Sequence, residues 1–183
     1  MLFTRILTFI ITLTLAFVGG LSGSVMAKDA HSYANVESVT STHLHLDVTV
    51  NFDKQSLEGI AEYDIRRLTP DVGPMMLDTR DLVINKVEVQ QLDDVWQITA
   101  FELAKPDAIL GSKLTVTLPL KAKKVRIHYA TRPEATGLQW LTPAQTAGKK
   151  YPFLFTQSQA IHTRSWVPIQ DTPAIRLTYS ARI

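Results

Sequence analysis

The sequence predicts an all-β domain, built as a saddle-like sheet or a β-sandwich. Three observations support this class. Strict apolar alternation begins at residue 43, no window of a dozen residues shows helical periodicity, and prolines punctuate the second half of the chain. Short extended runs separated by turn residues are typical of such folds, so we expect strands throughout the domain.

The clearest predicted strand covers residues 43–52, where apolar and polar side chains alternate without exception. This pattern indicates a half-buried strand. Its apolar face carries Leu44, Leu46, Val48, Val50 and Phe52. A loop at residues 53–56 and a partner strand at residues 57–68 complete a predicted hairpin. Within the partner strand, Gly59 predicts a bulge or a close approach of two backbones.

The remaining predicted strands are short and lie between turns, at residues 76–79, 82–89, 96–103, 113–120 and 125–129. Alternation returns at residues 175–183 and is still running at the last residue. Because domain termini usually end in polar, irregular segments, we expect the domain to continue further and the chain to be truncated at its carboxyl end.

The amino-terminal residues 1–27 have the layout of a signal peptide. Arg5 precedes an apolar core at residues 6–18, and small residues precede Lys28. The sequence therefore predicts export to the periplasm or the medium, with an uncleaved membrane anchor as the alternative. Residues 28–42 are polar and aperiodic, which predicts a flexible lead, and residues 43–183 form the predicted β domain.

Composition excludes some classes of partner. Without Arg5, 18 basic residues face 17 acidic ones, and this near-neutral balance argues against nucleic-acid binding. The short basic run at residues 121–124 is interpreted as a solvated loop. The chain has no cysteine, so the fold depends on packing without disulfides.

The sequence offers no catalytic constellation. None of the five histidines begins an HExxH motif, and no nucleophile motif is present. His43 and His45 share a strand face, but alternation alone explains them as solvent-facing residues. The acidic pairs Asp78 with Asp81 and Asp93 with Asp94 are interpreted as solvated residues or local caps. We therefore assign no catalytic residue and no metal ligand.

One stretch, residues 155–179, has the character of a site. In an extended chain Gln157 and Gln159 point to the same side and line one wall, although glutamines in loops often satisfy only nearby backbone groups. We interpret His162, Arg164 and Asp171 as scaffolding, with a bidentate Arg164–Asp171 pair joining the ends of the loop. The nearby Trp140 and Trp166 are interpreted as packing residues.

The run QSQAIHTRSWVPIQDTP at residues 157–173 carries a family resemblance. Together with YPFLF at residues 151–155 and LQWLTP at residues 138–143, it resembles the amino-terminal domain of the M1 zinc aminopeptidases, most closely the branch of leukotriene A4 hydrolase and aminopeptidase B. The resemblance implies a four-part enzyme of which this chain is the first part. It also implies a zinc cofactor whose ligands lie outside this chain.

The resemblance also implies roles for site residues. Gln159 matches the position that lines the first substrate pocket and holds the α-amino end of the substrate, with Gln157 beside it and Ala160 at the pocket wall. Many members of the wider family have glutamate at the position of Gln159. An amide accepts a hydrogen bond from an ammonium group but supplies no full countercharge.

The resulting functional expectation is the substrate-anchoring domain of an exported zinc metalloaminopeptidase that removes amino-terminal residues from peptides. The expected partners are the amino terminus of a peptide and the missing catalytic domain of the same polypeptide, and this segment alone is expected to be inactive. Two alternatives stay open: a free-standing exported β-sandwich that binds without catalysis, and an epoxide hydrolase of the leukotriene A4 hydrolase type.

Overall fold

The computed structural model describes residues 29–70, 73–91 and 94–183, so the predicted signal peptide lies outside the described residues. The described residues form strands and short 3-10 turns, which confirms the all-β class. The strands are β1 (Val39–Asn51), β2 (Ser56–Arg67), β3 (Met75–Thr79), β4 (Val83–Gln90), β5 (Trp96–Ile98), β6 (Phe101–Leu103), β7 (Ser112–Val116), β8 (Lys124–Ala130), β9 (Leu138–Leu141), β10 (Phe153–Thr156) and β11 (Thr178–Arg182). Two 3-10 turns lie at Pro143–Gln145 and Thr163–Ser165.

A six-stranded sheet forms the larger layer, with the strand order β11-β1-β2-β8-β4-β5. The predicted hairpin is its centre: β1 and β2 pair antiparallel from Asn51↔Ser56 to Val39↔Arg67. The apolar face predicted for β1 is confirmed for Leu44, Leu46 and Val48, which are buried. Val50 is only partly buried, and Phe52, which follows β1, is exposed. The final predicted strand is also present as β11, which pairs parallel to β1 at the sheet edge.

Gly59 marks a close approach between β1 and β2, one of the two alternatives predicted for it. Gly59 pairs with Val48, and a Cβ atom at residue 59 would clash with the main-chain carbonyl oxygen of Asp47 and lie 2.8 Å from the Cα of Val48. The bulge in this strand pair lies elsewhere, between Ser41 and His43. Only glycine fits at residue 59 without moving the backbone of β1.

A three-stranded sheet with the order β3-β7-β6 forms the second layer. Its inward side chains pack against the larger sheet, so both layers supply one core. The fully buried members of this core include Tyr63, Met75, Leu77, Val87, Leu114, Val125, Ile127 and Tyr129. The third unit, the two-stranded β9–β10 sheet, packs its Leu138 against Leu57 and Ala135 in a smaller cluster.

The single strand predicted at residues 96–103 is wrong, because the chain changes sheet in the middle of it. β5 pairs with β4 in the large sheet, whereas β6 pairs with β7 in the small one. At the crossing, the Thr99 N–H donates to the Val87 carbonyl (3.0 Å) and the Thr117 N–H donates to the Ala100 carbonyl (3.0 Å). Each of these two adjacent residues is therefore tied to a different layer.

The segment predicted as a flexible lead, residues 28–42, includes the start of a strand and contacts with the domain. β1 already begins at Val39, and residues 29–35, here called the amino-terminal strap, lie against the domain. Asn35 donates from its amide to the Pro74 carbonyl (2.8 Å) and accepts from the Met76 N–H (2.9 Å). Ser32 and Ala34 are buried. These contacts with distant residues hold the strap against the domain, although its polar, aperiodic sequence predicts no regular element.

The outer face of the large sheet carries cross-strand charge pairs. Glu62 on β2 accepts hydrogen bonds from Arg126 (2.8 Å) and Lys124 (3.2 Å) on β8, and the Arg126 guanidinium lies 3.8 Å from the centroid of the Trp96 ring. Lys124, from the predicted solvated run, therefore belongs to a strand. No helical turn in the described part of the chain has the length and apolar character needed to cross a membrane.

Candidate functional site

Residues 157–173, here called the glutamine loop, follow β10 and are held against the β8–β9 connection at Gly137. The Gln157 N–H donates to the Gly137 carbonyl (2.9 Å), and the Gly137 N–H donates to Ser165 Oγ (2.8 Å). A Cβ atom at residue 137 would lie 2.6 Å from the His162 carbonyl oxygen and 2.6 Å from Trp166 Cδ1. The glutamine loop therefore packs directly against the backbone of Gly137, with no room for a side chain there.

The spacing of Gln157 and Gln159 predicts that they line one wall, but in the structure they do not. β10 ends at Thr156 and the chain turns at residues 159–162, so the alternation of a strand does not apply to them. The Gln157 side chain turns back, and its Oε1 accepts the Gln159 N–H at 3.0 Å. The Gln157 side chain therefore satisfies a nearby backbone group, which is the alternative to lining a wall. The Gln159 side chain is exposed. Gln159 and Ala160 are joined by a cis peptide bond.

A cavity of about 670 Å³ lies beside Gln159 and Ala160. Gln157 is not part of its lining. The wall joins the glutamine loop, the following residues and the first residues of the strap: Asp29, His31, Gln159, Ala160, Ile161, Ile169, Gln170, Asp171, Thr172, Pro173, Ile175 and Leu177. The cavity therefore combines apolar side chains with a few hydrogen-bonding groups, which is typical of small-molecule and peptide-end sites.

Asp29 gives one wall of this cavity a negative charge. Hydrogen bonds from the His31 N–H and from the Thr172 side chain hold the pKa of the Asp29 carboxyl below its usual range, against the opposing effect of burial. The carboxylate also lies 3.6 Å from the His31 ring nitrogen Nδ1. The cavity thus offers an ionised carboxylate and an amide, and both groups can accept hydrogen bonds from a cation.

Arg164 is a buried residue that holds the glutamine loop together. Its predicted ion pair with Asp171 is confirmed. Its Nε donates to Asp171 Oδ2 (3.1 Å) and its Nη2 donates to the Asp171 carbonyl (3.1 Å). The predicted bidentate geometry is wrong, because only one carboxylate oxygen takes part. The guanidinium, which is fully buried, uses its other donors on the carbonyls of Leu110 (3.0 Å) and His31 (2.8 Å).

Asp78 is the residue that sequence reasoning placed wrongly. The pairing of Asp78 with Asp81 predicts a solvated residue or a local cap, but Asp78 is fully buried in β3. Burial raises the pKa of its carboxyl, and hydrogen bonds from Ser32, Tyr33 and Asp171 act in the opposite direction together with Arg164. The available signal was an acidic residue inside the apolar strand MMLDT. Asp81, in contrast, is exposed.

Two histidines and two tryptophans singled out in the sequence make hydrogen-bonding and packing contacts within the domain. His43 and His45 lie on the outer face of β1 and contact hydroxyls of β11, at Thr178 (2.7 Å) and Ser180 (2.9 Å). Trp166 packs against both core clusters, and its Nε1 donates to Ser158 Oγ (3.2 Å). Trp140 packs edge-on to Phe52, with ring centroids 5.7 Å apart. The packing interpretation of both tryptophans is confirmed.

His162 holds the glutamine loop to the connection before β9. Its Nδ1 lies 2.7 Å from Thr136 Oγ1, and its carbonyl accepts from Ser165 Oγ at 2.7 Å. The scaffolding role predicted for this histidine therefore agrees with its contacts.

The described residues do not fit the zinc ion implied by the family resemblance. Across residues 29–70, 73–91 and 94–183, no three His, Cys, Asp or Glu side chains are placed to hold a metal ion. The cavity beside Gln159 has acceptor groups in its lining, namely the Gln159 amide and the Asp29 carboxylate, and the lining includes no cysteine or serine.

The family model described as the Peptidase M1 N-terminal domain matches residues 40–183. The chain belongs to this family. The match includes β1 from its second residue, the glutamine loop and β11. The cavity is therefore built from matched residues together with the strap. The resemblance seen in the sequence motifs is confirmed.

Relatives of this M1 domain are longer proteins. The chain is 36% identical over 160 residues to leukotriene A-4 hydrolase of Xenopus laevis, covering 85% of this chain and 26% of the relative. It is 38% identical over 161 residues to leucine aminopeptidase 2 of Yarrowia lipolytica, covering 85% and 24%. The chain therefore spans about a quarter of the length of these relatives.

The fold comparison agrees. The structure of yeast LTA4 hydrolase in complex with Bestatin matches with a TM-score of 0.78 and 28% identity, over 87% of this chain and 25% of that one. The M1 amino-terminal domain therefore has the β architecture found in that hydrolase.

Proposed function

We propose that this domain holds the amino-terminal end of a peptide substrate for a larger zinc metalloaminopeptidase, whose zinc ligands and catalytic groups lie outside residues 29–183. The observation that carries the proposal is the position of Gln159 and Ala160 at a cavity of about 670 Å³ in a domain of the M1 family. A peptide amino terminus is a cation with three N–H donors, and the amide oxygen of Gln159 is a suitable acceptor.

Gln159 alone supplies only part of the binding energy. A hydrogen bond to a charged group contributes about 1.5–3 kcal/mol, and an uncharged acceptor contributes toward the lower end of that range. The Asp29 carboxylate lines the same cavity, so it adds negative charge to the lining. This combination favours a substrate end that is positively charged over one that is neutral.

The partner of the domain is the catalytic part of the same polypeptide. A groove of about 540 Å³ between β1, β10 and β11 is lined mainly by apolar side chains, including the exposed Phe153, Phe155 and Tyr179. Exposed apolar surface of this kind is typical of an interface. A relative of about four times the length of this domain has enough additional chain to cover it.

Export is a separate part of the proposal and rests on residues 1–27 alone. Their charged start, apolar core and small residues support translocation to the periplasm or the medium, with a retained anchor as the alternative. The leukotriene A-4 hydrolase name of the Xenopus relative favours epoxide hydrolysis as a second candidate activity. A β-sandwich that binds without catalysis is the third possibility.

The test is Gln159→Ala in the complete polypeptide that carries this domain, assayed with an aminoacyl-arylamide. We expect KM to rise about 10-fold with kcat nearly unchanged, because the lost contact binds substrate and transition state alike. Gln159→Glu should keep KM at or below the wild-type value, since it restores a full countercharge. The isolated chain should show no turnover.

Gln139→Ala is the matched control, because Gln139 is an exposed glutamine on the neighbouring β9 strand. Its KM should stay within about twofold of wild type, as expected for a surface substitution. An active Gln159→Ala enzyme whose KM equals that of wild type would contradict amine anchoring. Turnover of a lipid epoxide without aminopeptidase activity would favour the second candidate.

A further inference from the structure

Asp78 joins two segments that are far apart in the sequence. Its Oδ2 accepts from Ser32 Oγ (2.5 Å) in the strap and from the Asp171 N–H (2.9 Å) in the glutamine loop. Its Oδ1 accepts from the Tyr33 N–H (2.7 Å) and lies 3.7 Å from Arg164 Nη1. One buried carboxylate therefore receives hydrogen bonds from both segments at once.

Main-chain contacts fix the same end of β3 to the loop. The Asp78 N–H donates to the Ile169 carbonyl (2.7 Å), the Ile169 N–H donates to the Asp78 carbonyl (3.1 Å), and the Arg80 N–H donates to the Arg164 carbonyl (2.7 Å). These bonds do not depend on the Asp78 side chain. Its removal should therefore loosen the junction with the strap while β3 and the loop stay paired.

Arg164 closes the network on the strap side. Its Nη2 donates to the His31 carbonyl at 2.8 Å, and Asp171, which it also binds, is held by Asp78. Because these polar groups are buried in a low-dielectric environment, each hydrogen bond is strong and an unmet partner is costly. The strap and the glutamine loop are thus held in one relative position.

The two segments meet again at the surface, where both line the cavity. Asp29 and His31 of the strap form one part of the lining, while Gln159, Asp171 and Thr172 of the loop form another. The buried network joins these two parts of the lining, together with the hydrogen bond from the Thr172 side chain to the Asp29 carboxylate. A shift of the strap would change both the shape of the cavity and the place of the Asp29 charge relative to Gln159.

We propose that the amino-terminal strap is a wall of the substrate site, and that Asp78 is a positioning residue that sets the strap against the loop carrying Gln159. The proposal rests on the proposed function of Gln159. Asp78 acts through the segments it joins and does not touch the substrate. Misplacement of a binding group by about 1 Å can reduce a rate up to about 100-fold, so such positioning is functionally measurable.

The test is a double-mutant cycle in the complete polypeptide, with Asp78→Asn, Gln159→Ala and the combination. We expect Asp78→Asn to raise KM for an aminoacyl-arylamide about five-fold, with kcat per folded molecule within about twofold of wild type. In the Gln159→Ala background the added effect of Asp78→Asn should fall below about twofold, because residues that act through one another are not additive.

Ser32→Ala tests the strap separately and serves if Asp78→Asn does not fold. It removes the hydroxyl that donates to Asp78 and is expected to raise KM about three-fold, again only when Gln159 is present. Asp64→Asn is the control, because Asp64 pairs with Lys124 and is not in contact with the network. Its KM should match wild type.

The possible outcomes separate the two proposals. If Gln159→Ala raises KM but Ser32→Ala and every folded Asp78 variant leave it unchanged, the positioning role is overturned and the proposed function stands. A full, additive effect of Asp78→Asn or Ser32→Ala in the Gln159→Ala background also overturns it, as does a loss of folded protein with unchanged KM. If Gln159→Ala itself leaves KM unchanged, the proposed function fails and this inference fails with it.

Discussion

Replacement of Arg164 by methionine is expected to lower the free energy of unfolding by about 3–5 kcal/mol. The guanidinium is fully buried and donates to the carbonyls of Leu110, His31 and Asp171 and to the Asp171 carboxylate. Methionine fills much of the same volume but donates no hydrogen bond. The buried Asp78 and the half-buried Asp171 would lose their only nearby guanidinium among the described contacts.

Urea unfolding of the chain, followed by tryptophan fluorescence, measures this loss. Arg176→Met is the matched control, since Arg176 is exposed shortly after the same loop. The control should change the free energy of unfolding by less than about 0.5 kcal/mol. A loss below about 1 kcal/mol for Arg164→Met would show that the buried network does not hold the loop.

Gly59→Ala is expected to lower the free energy of unfolding by about 3 kcal/mol, although it adds one methyl group. The new Cβ would meet the Asp47 carbonyl oxygen and the Val48 Cα, and both atoms are main chain. A flexible side chain could rotate away, but the backbone of a central strand pair cannot move without disturbing the β1–β2 ladder. The added methyl group would therefore strain the backbone of β1 and β2 in the middle of the large sheet.

Gly148→Ala provides the control for the added methyl group, because nothing lies within 4 Å of a Cβ built at Gly148. The same denaturation measurement should give a change within about 0.5 kcal/mol for this variant. Equal stabilities for the two alanine variants would contradict the close approach of β1 and β2.

The central hairpin of the large sheet could be predicted from local pattern. The alternation of Leu44, Leu46 and Val48 indicated a buried face, and the turn residues at 53–56 indicated that the next strand pairs with it. The change of sheet at Thr99 could not be predicted, because the extended pattern continues through it. Its position is fixed by hydrogen bonds to Val87 and Thr117, which lie elsewhere in the chain.

Only part of the candidate site could be predicted from the sequence. The family resemblance pointed to Gln159 and Ala160, and the structure places both at the cavity. The spacing argument for Gln157 did not hold, because it assumed an extended chain where the backbone turns. Asp78 was missed because the burial of an acidic residue depends on partners 46 and 93 residues away, which no local pattern reveals.

The most direct test of the anchoring role is a structure of the complete polypeptide with a bound amino-acid or peptide analogue that has a free α-amino group. We predict that the Oε1 atom of Gln159 lies about 2.7–3.2 Å from the amine nitrogen, as in a normal hydrogen bond. An amine bound more than about 5 Å from Gln159, with its charge met entirely by other residues, would contradict anchoring of the substrate amine by Gln159.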